Sequence, residues 1–216
     1  HEIKNPLTPI QLTIDRLKNK YSNELDEKNK EIFRENLKII NNQIKQIEKL
    51  VNEFSDFARM PKPILQKNDL IILIKDNIKL LQELDQTIKI DFIHNNKQSF
   101  FNGDKEQLSR VFLNLIKNSI ESIHQKAEKV RDFNKNITIE LNDFDSHISV
   151  VINDSGIGFK NLNNNIKEIL NPYFTTKKNG TGLGLSIVNK IINDHNGNIE
   201  FISKVDGAII KITFIK

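Results

Sequence analysis

Cysteine is absent from the 216 residues, glycine is scarce at eight and proline at five, and neither charge sign is in strong excess. Without thiols the chain forms no disulfide, has no thiolate nucleophile and holds no cysteine-ligated zinc, a usage that suits a reducing compartment. Long apolar runs are missing too. The longest lies around 70–74, far short of the roughly 20 residues that a membrane-spanning helix needs. Lys and Arg number 32 against 28 Asp and Glu, a net charge of +4 in a chain that is 28% charged. Charge so weak and so dispersed leaves no electrostatic footprint for nucleic acid. An initiator methionine and a signal-peptide pattern are also lacking, so the chain reads as a piece of a longer polypeptide whose missing N-terminal part would hold any membrane anchor. Asn, Ile and Lys are over-represented throughout, as a genome-wide nucleotide bias would produce, and the Asn runs carry no functional weight.

What is present first is a seven-residue repeat. Ile3, Leu7, Ile10, Ile14, Leu17 and Tyr21 step by four and three, and Phe33, Leu37, Ile40, Ile44, Ile47, Val51, Phe54 and Ala58 do the same. That spacing keeps one apolar seam along each of two helices. A polar loop around 22–28 lets them fold back as an antiparallel hairpin. A lone hairpin buries its seam poorly, whereas two copies make a four-helix bundle, so a homodimer is expected from packing need, the alternative on periodicity alone being a hairpin packed on the rest of the same chain.

Met60-Pro61-Lys62-Pro63 ends the second helix, because proline lacks an N–H and disfavours helical geometry in the residue before it. The domains are therefore placed at 1–60 for the hairpin, 61–68 for a linker and 69–216 for a second domain. Within the last, the patterns predict helices over 70–84, 105–129 and 183–194. Strands are expected over 87–93, 98–102, 136–142, 147–153, 198–204 and 208–215. Asp206-Gly207 supplies a hairpin turn between the final two. The fold class is α+β, with helices on one face of a mixed sheet. The polar stretch 160–179 has no clear periodicity and reads as a mobile lid.

Five of the eight glycines fall in two short strings, DSGIGF with Gly156 and Gly158, and GTGLGL with Gly180, Gly182 and Gly184. Glycine collects where a backbone must approach a ligand closely or turn with positive φ. The first string follows an apolar strand and places Asp154 at its end, where a carboxylate can accept from an exocyclic amine. The second leads into an apolar helix whose N-terminal N–H groups suit phosphates. Neither the P-loop spacing nor a Rossmann βαβ context is present. A third element is the long helix carrying Asn114 and Asn118, four apart and so on one face, with Lys117 beside them. An amide oxygen together with nucleotide phosphates makes a plausible magnesium shell.

In this order the strings HEIKNPLTPI, RVFLNLIKNSIES, DSGIGF, NPYFTTK and GTGLGLSIV resemble the H, N, first glycine, F and second glycine boxes of sensor histidine kinases of two-component systems. The resemblance covers essentially the whole chain and looks most like nitrogen-regulation kinases of the NtrY type. Leu170 stands where many members of the family carry the first Phe of the F-box. The resemblance implies a dimerisation and histidine-phosphotransfer hairpin at 1–60, followed by a Bergerat-type α/β sandwich that binds ATP with magnesium. It also implies a response-regulator receiver domain as partner, a phosphatase activity toward it, and a parent protein in the inner membrane with this stretch in the cytoplasm.

Residue by residue, the resemblance makes His1 the phosphoacceptor, Glu2 the group that takes or holds the proton on its other ring nitrogen, and Asn5 the amide that positions a hydrolytic water. Asn114 replaces the Glu that activates water in hydrolytic ATPases of the superfamily. Asn118 would ligate magnesium, Lys117 would contact phosphates and Asp154 would read adenine. Thr175, Lys177 and Lys178 of the lid, with Gly180, Thr181, Gly182, Leu183 and Gly184 of the second glycine box, would approach the phosphates. Two other readings stay open at this level: an ATP-hydrolysing clamp, which would need a base at position 114, and an idle scaffold that docks a regulator.

Overall fold

The computed structural model describes residues 7–21, 25–159, 166–177, 180–204 and 206–216. It divides into two units, His1–Met60 with Thr175–Leu183, and Pro61–Phe174 with Gly184–Lys216. In the first unit α1 spans Leu7–Tyr21 and α2 spans Glu27–Ala58. Asp26 starts α2 by accepting from the Asn29 amide at 2.9 Å, which satisfies one of the unpaired N–H groups of the first turn. Arg59 N donates to Ser55 O at 3.0 Å, and the prolines beyond stop the helix.

The seam of this hairpin divides in two. Leu7 and Ile14 of α1 bury against Leu37 and Ile44 of α2, with Phe33 packed alongside. Ile10, Leu17, Ile40, Ile47 and Phe54, the alternate members of the same repeat, stay exposed. Among the described residues, one heptad position thus closes the hairpin on itself, while Ile10, Leu17, Ile40 and Ile47 of the other stay exposed.

The second unit holds a five-stranded sheet in the order β2-β4-β5-β7-β6, where β2 is Lys89–His94, β4 Asn136–Asp143, β5 His147–Asp154, β6 Gly197–Ser203 and β7 Ala208–Ile215. β2 runs parallel to β4, and the other neighbours are antiparallel. Registered rows such as Ile139, Ile152 and Ile210 place one apolar residue from each strand side by side. Three helices cover this face: α3 (Leu70–Leu84), α4 (Lys105–Ala127) and α5 (Gly184–Asp194). The buried Leu108, Val111, Phe112, Leu115, Ile116 and Ile123 give α4 its core stripe at helical spacing.

Two elements are absent from the sequence expectation. β1, Gln66–Asp69, pairs antiparallel with β3, Phe100–Gly103, in a separate two-stranded sheet, so the stretch expected as a linker contains a strand. Its sequence QKND has no alternating apolar signal, and the backbone pairing to β3 alone makes it a strand. A short 3-10 turn, Ile166–Leu170, lies within the stretch expected as an aperiodic lid, and Ile169 in it is buried. Residues 160–165 and 178–179 of that stretch lie outside the described residues.

A hydrogen-bonded junction ties this unit together at the start of α4. Asp104 caps the helix by accepting from Glu106 N and Gln107 N, and its other oxygen accepts from Ile64 N at 2.9 Å. Gln107 Nε2 donates to Pro61 O at 3.0 Å. Buried His195, just past α5, accepts from Asp104 N at Nε2 and donates from Nδ1 to Ile191 O, which fixes its neutral tautomer. Burial works to raise the Asp104 carboxyl, but the N–H groups of Gln107, Ile64 and Glu106 outweigh it and hold the group below its ordinary value.

A group depressed in this way stabilises the fold above its unfolded pKa and loses that contribution as pH falls through the folded one. Asp104→Ala is expected to lower the unfolding free energy by about 1 to 2 kcal/mol at pH 7. Chemical denaturation repeated at falling pH is expected to show the gap to wild type narrowing below roughly pH 4.

Candidate functional site

β5 is flanked on both sides by antiparallel partners, and its last residue, Asp154, sits opposite Ile137 of β4 and Ala208 of β7. Only 5% of Asp154 is exposed. One carboxylate oxygen accepts from Gly156 N at 2.9 Å and the other from Ser119 Oγ at 3.2 Å. Burial pushes this carboxyl above its ordinary value, opposed by the Gly156 and Ser119 hydrogen bonds.

The turn after Asp154 is braced from several directions. Ser155 exchanges bonds with Asn136, its N–H donating to Asn136 O and its Oγ accepting from Asn136 N. Ile157 N donates to Ser122 Oγ at 3.1 Å, and Lys126 Nζ donates to Ser155 O at 3.0 Å while pairing with Asp206 at 3.4 Å. A Cβ on Gly156 would fall 2.1 Å from Ser122 Oγ and 2.8 Å from the Ser122 carbonyl carbon, so α4 and this turn are in direct contact. Gly207, with φ of 98°, passes so close beneath that a Cβ there would meet Asp154 O at 1.8 Å. Glycine is required at both positions by close approach.

One and a half turns back along α4 from Ser119, Asn114 donates from Nδ2 to Arg110 O at 2.9 Å. Its Oδ1 lies 3.5 Å from where a Cβ of Gly184 would stand, at the first residue of α5. The acceptor end of this amide therefore faces a helix N-terminus, whose leading N–H groups have no partner within their own helix. Asn118 is half-buried on the same helix and Lys117 beside it is exposed. The second unit thus carries Asn114, Lys117, Asn118, Asp154, Gly156, Gly158 and Gly184, with Asp154 bonded to Gly156 and Asn114 close to Gly184.

Thr175, Lys177 and Gly180 to Leu183 belong to the first unit. There Thr175 Oγ1 accepts from Lys177 N at 3.1 Å, and a Cβ on Gly180 would meet Thr175 Oγ1 at 2.3 Å. Thr181 donates its hydroxyl to Glu53 of α2, and Gly182 has a φ of 70°. His1, Glu2, Asn5 and Lys178 lie outside the described residues.

The sequence reading assigned no role to Ser119, Ser122 or Lys126, and took Gly207 only as a hairpin turn. Buried serine on an otherwise apolar helical stripe is a readable signal, since serine is a poor choice in a helix interior. The approach of Gly207 to Asp154 leaves no such trace, because the two are far apart in sequence.

Residues 103–215 match the family described as histidine kinase-, DNA gyrase B-, and HSP90-like ATPase, and residues 1–63 match the His Kinase A (phospho-acceptor) domain. A NtrY-like sensor histidine kinase of Rickettsia prowazekii is 38% identical over 215 residues, which is 99% of this chain and 34% of that protein. Nitrogen regulation protein NtrY of Azorhizobium caulinodans is 36% identical over 216 residues, 99% of this chain and 27% of that protein. The chain spans about a third of the length of the curated relatives it matches. Among solved structures, histidine kinase ThkA in complex with response regulator protein TrrA aligns with a TM-score of 0.70 at 27% identity, over 100% of this chain and 59% of that one. With an acceptor-domain match over the hairpin and an ATPase match over the sandwich that carries Asp154 and Asn118, the chain belongs to the histidine kinase-, DNA gyrase B- and HSP90-like ATPase family, as the catalytic region of a sensor histidine kinase.

Proposed function

We propose that this region moves the γ-phosphoryl group of ATP to His1 and then to an aspartate on a response-regulator receiver domain, with a phosphatase activity toward the same regulator. Residues 1–60 act as the acceptor hairpin, 61–68 as the connection and 69–216 as the nucleotide domain. The parent protein lies in the inner membrane with this region on its cytoplasmic side. The observation that carries the reading is the amide at Asn114, whose Oδ1 faces the start of α5. An amide cannot take a proton from water, so this position offers no base for hydrolysis. Transfer to a protein nucleophile is favoured over an ATP-hydrolysing clamp, and the intact nucleotide elements count against an idle scaffold.

Asp154 accepts from the exocyclic amine of adenine. Lys117, Thr175, Lys177 and Lys178 offset phosphate charge, and the leading N–H groups at Gly184, with the loop Gly180, Thr181, Gly182 and Leu183, receive phosphate oxygens. Among the described residues no group of three or more His, Asp or Glu side chains is arranged to hold a metal. An amide oxygen fits a magnesium ion that shares its shell with phosphates, and Asn118 would supply it. When bound, that ion neutralises charge on the phosphates. The His1 imidazole attacks in line, a nitrogen–phosphorus bond forms as the γ-phosphorus–oxygen bridge breaks, and ADP leaves. Glu2 holds the proton of the other ring nitrogen. In the phosphatase direction Asn5 orients water.

Incubating the chain, extended by one natural helical turn ahead of His1, with γ-labelled ATP and magnesium is expected to yield acid-labile, base-stable label. His1→Gln is expected to abolish the label while calorimetry still finds ADP bound. Label that survives the change overturns the assignment of His1.

The exposed half of the hairpin seam supports a second copy as partner. Each Ile buried there contributes about 1.5 to 3 kcal/mol, and a carboxylate in its place is costly. Ile40→Glu combined with Ile47→Glu is therefore expected to give monomers in sedimentation equilibrium that still bind ADP. ThkA has been crystallised with a response regulator, which supports a receiver domain as second partner. Leu12, exposed and off the seam, is proposed as part of its docking surface. Leu12→Arg is expected to leave the dimer intact and slow phosphotransfer to the cognate regulator, followed by loss of label from the kinase.

A further inference from the structure

Ser119, Ser122 and Lys126 lie three and four residues apart on α4 and so share one stripe of that helix. All three reach the turn that begins at Asp154. Ser122 and Lys126 bind backbone atoms and hold the turn in place. Ser119 alone among the three binds the Asp154 carboxylate itself. It is 3% exposed, where alanine would suit the helix better, and its hydroxyl donates across to the strand end.

Besides the Ala208 backbone, which also favours the charged form, two donors hold the Asp154 carboxyl and differ in kind. Gly156 N comes with the turn and would bind any acceptor at position 154. The Ser119 hydroxyl fixes the other oxygen, so between them they determine the rotation of the carboxylate about its bond to Cβ. Together they leave the remaining lone pairs of an acceptor-only group to face a ligand. Adenine presents an amine donor at its six position and guanine presents a carbonyl acceptor there. A carboxylate kept ionised and correctly rotated attracts the first and repels the second, whereas a protonated carboxyl can donate to the guanine carbonyl.

We propose that Ser119 is a positioning residue that holds Asp154 as an oriented, acceptor-only carboxylate and thereby sets the preference of this site for 6-amino over 6-oxo purine nucleotides. This rests on the reading that Asp154 contacts the purine ring. Burial already works against ionisation of Asp154, and the Ser119 hydroxyl is one of the bonds that oppose it. Lys204, after β6, acts on it through space and donates to Asn153 Oδ1, while Lys126 of α4 is paired with Asp206. Loss of the hydroxyl should therefore move the protonation of Asp154 to higher pH, with Gly156, Ala208 and Lys204 still opposing it.

The test is competition calorimetry with ADP and GDP between pH 5 and 8 on the full chain and its variants. Ser119→Ala is expected to weaken ADP by about threefold to tenfold at the acid end, and less at pH 8, on the scale of one lost hydrogen bond to a charged group. The ADP-to-GDP ratio is expected to fall with pH in this variant while staying level in wild type. Ser119→Thr, which keeps the hydroxyl, restores the wild-type profile. Ser119→Cys, similar in size but a weak donor, behaves like the Ala variant and serves if Ala loosens the packing. In an Asp154→Asn background Ser119→Ala is expected to change ADP affinity by less than about twofold, since coupled partners act as one. Equal weakening of both nucleotides at every pH, without rescue by Thr, would overturn the proposal. Asp154→Asn binding ADP as tightly as wild type would instead defeat the reading of Asp154 itself, whatever Ser119 does.

Discussion

A carboxylate at the end of a central strand, almost wholly out of water, is the constraint around which the nucleotide unit is arranged. Isolated burial of such a charge is prohibitive, and the group either neutralises or finds donors. Asp154 finds them in the N–H of Gly156 from the turn and the hydroxyl of Ser119 from α4, with the Ala208 backbone of β7 adding to them. That requirement explains why α4 departs from apolar residues at Ser119, in the middle of a stretch whose other buried residues from Leu108 to Ile123 are Leu, Val, Phe and Ile. It also explains the glycines. With α4 pressed onto the turn at Ser122 and the β6–β7 connection pressed beneath it at Gly207, no Cβ fits at Gly156 or Gly207.

Much of this was readable in advance where a period was present. Helix α3 begins and ends where the apolar spacing puts it, and β4, β5 and β7 lie on the alternating segments expected for them. β1 was not readable, because QKND carries no side-chain pattern and becomes a strand only through its backbone pairing with Phe100–Gly103. The same division applies to the site. Asp154, Asn114, Asn118 and the glycine strings announce themselves by residue type and local spacing. The bracing by Ser122, Lys126 and Gly207 depends on which turn of a helix meets which strand end, and that is fixed by tertiary packing alone.

The hairpin shows how a period can be right and still underdetermine structure. Its repeat identifies every seam residue, yet Leu7, Ile14, Leu37 and Ile44 close the hairpin while Ile10, Ile40 and Ile47 do not. A heptad has two apolar positions, and in an antiparallel pair one of them can satisfy the intramolecular contact while the other faces outward. Sequence spacing cannot say which is which. Once the inward set is known, the outward set becomes the physical reason for expecting a second copy, since leaving several Ile and Leu side chains in water forgoes most of their burial energy.

Buried polar groups elsewhere in the unit show why the Asp154–Ser119 pair differs from ordinary core polarity. Asn77 of α3 is also nearly inaccessible, but it donates to Leu73 O at 2.7 Å and accepts from Ser109 Oγ at 2.8 Å. Both sides of that amide are used within the fold, and the pair joins α3 to α4 without offering anything outward. His195 is closed in the same way, one ring nitrogen accepting and the other donating. Asp154 has only acceptor sites, several of them, and its raised pKa means that its internal donors do not fully offset the cost of burial. A group left under-compensated by its own fold gains when an external donor arrives. That imbalance, together with the glycine strings, supports the proposal that a ligand amine is held at the end of β5.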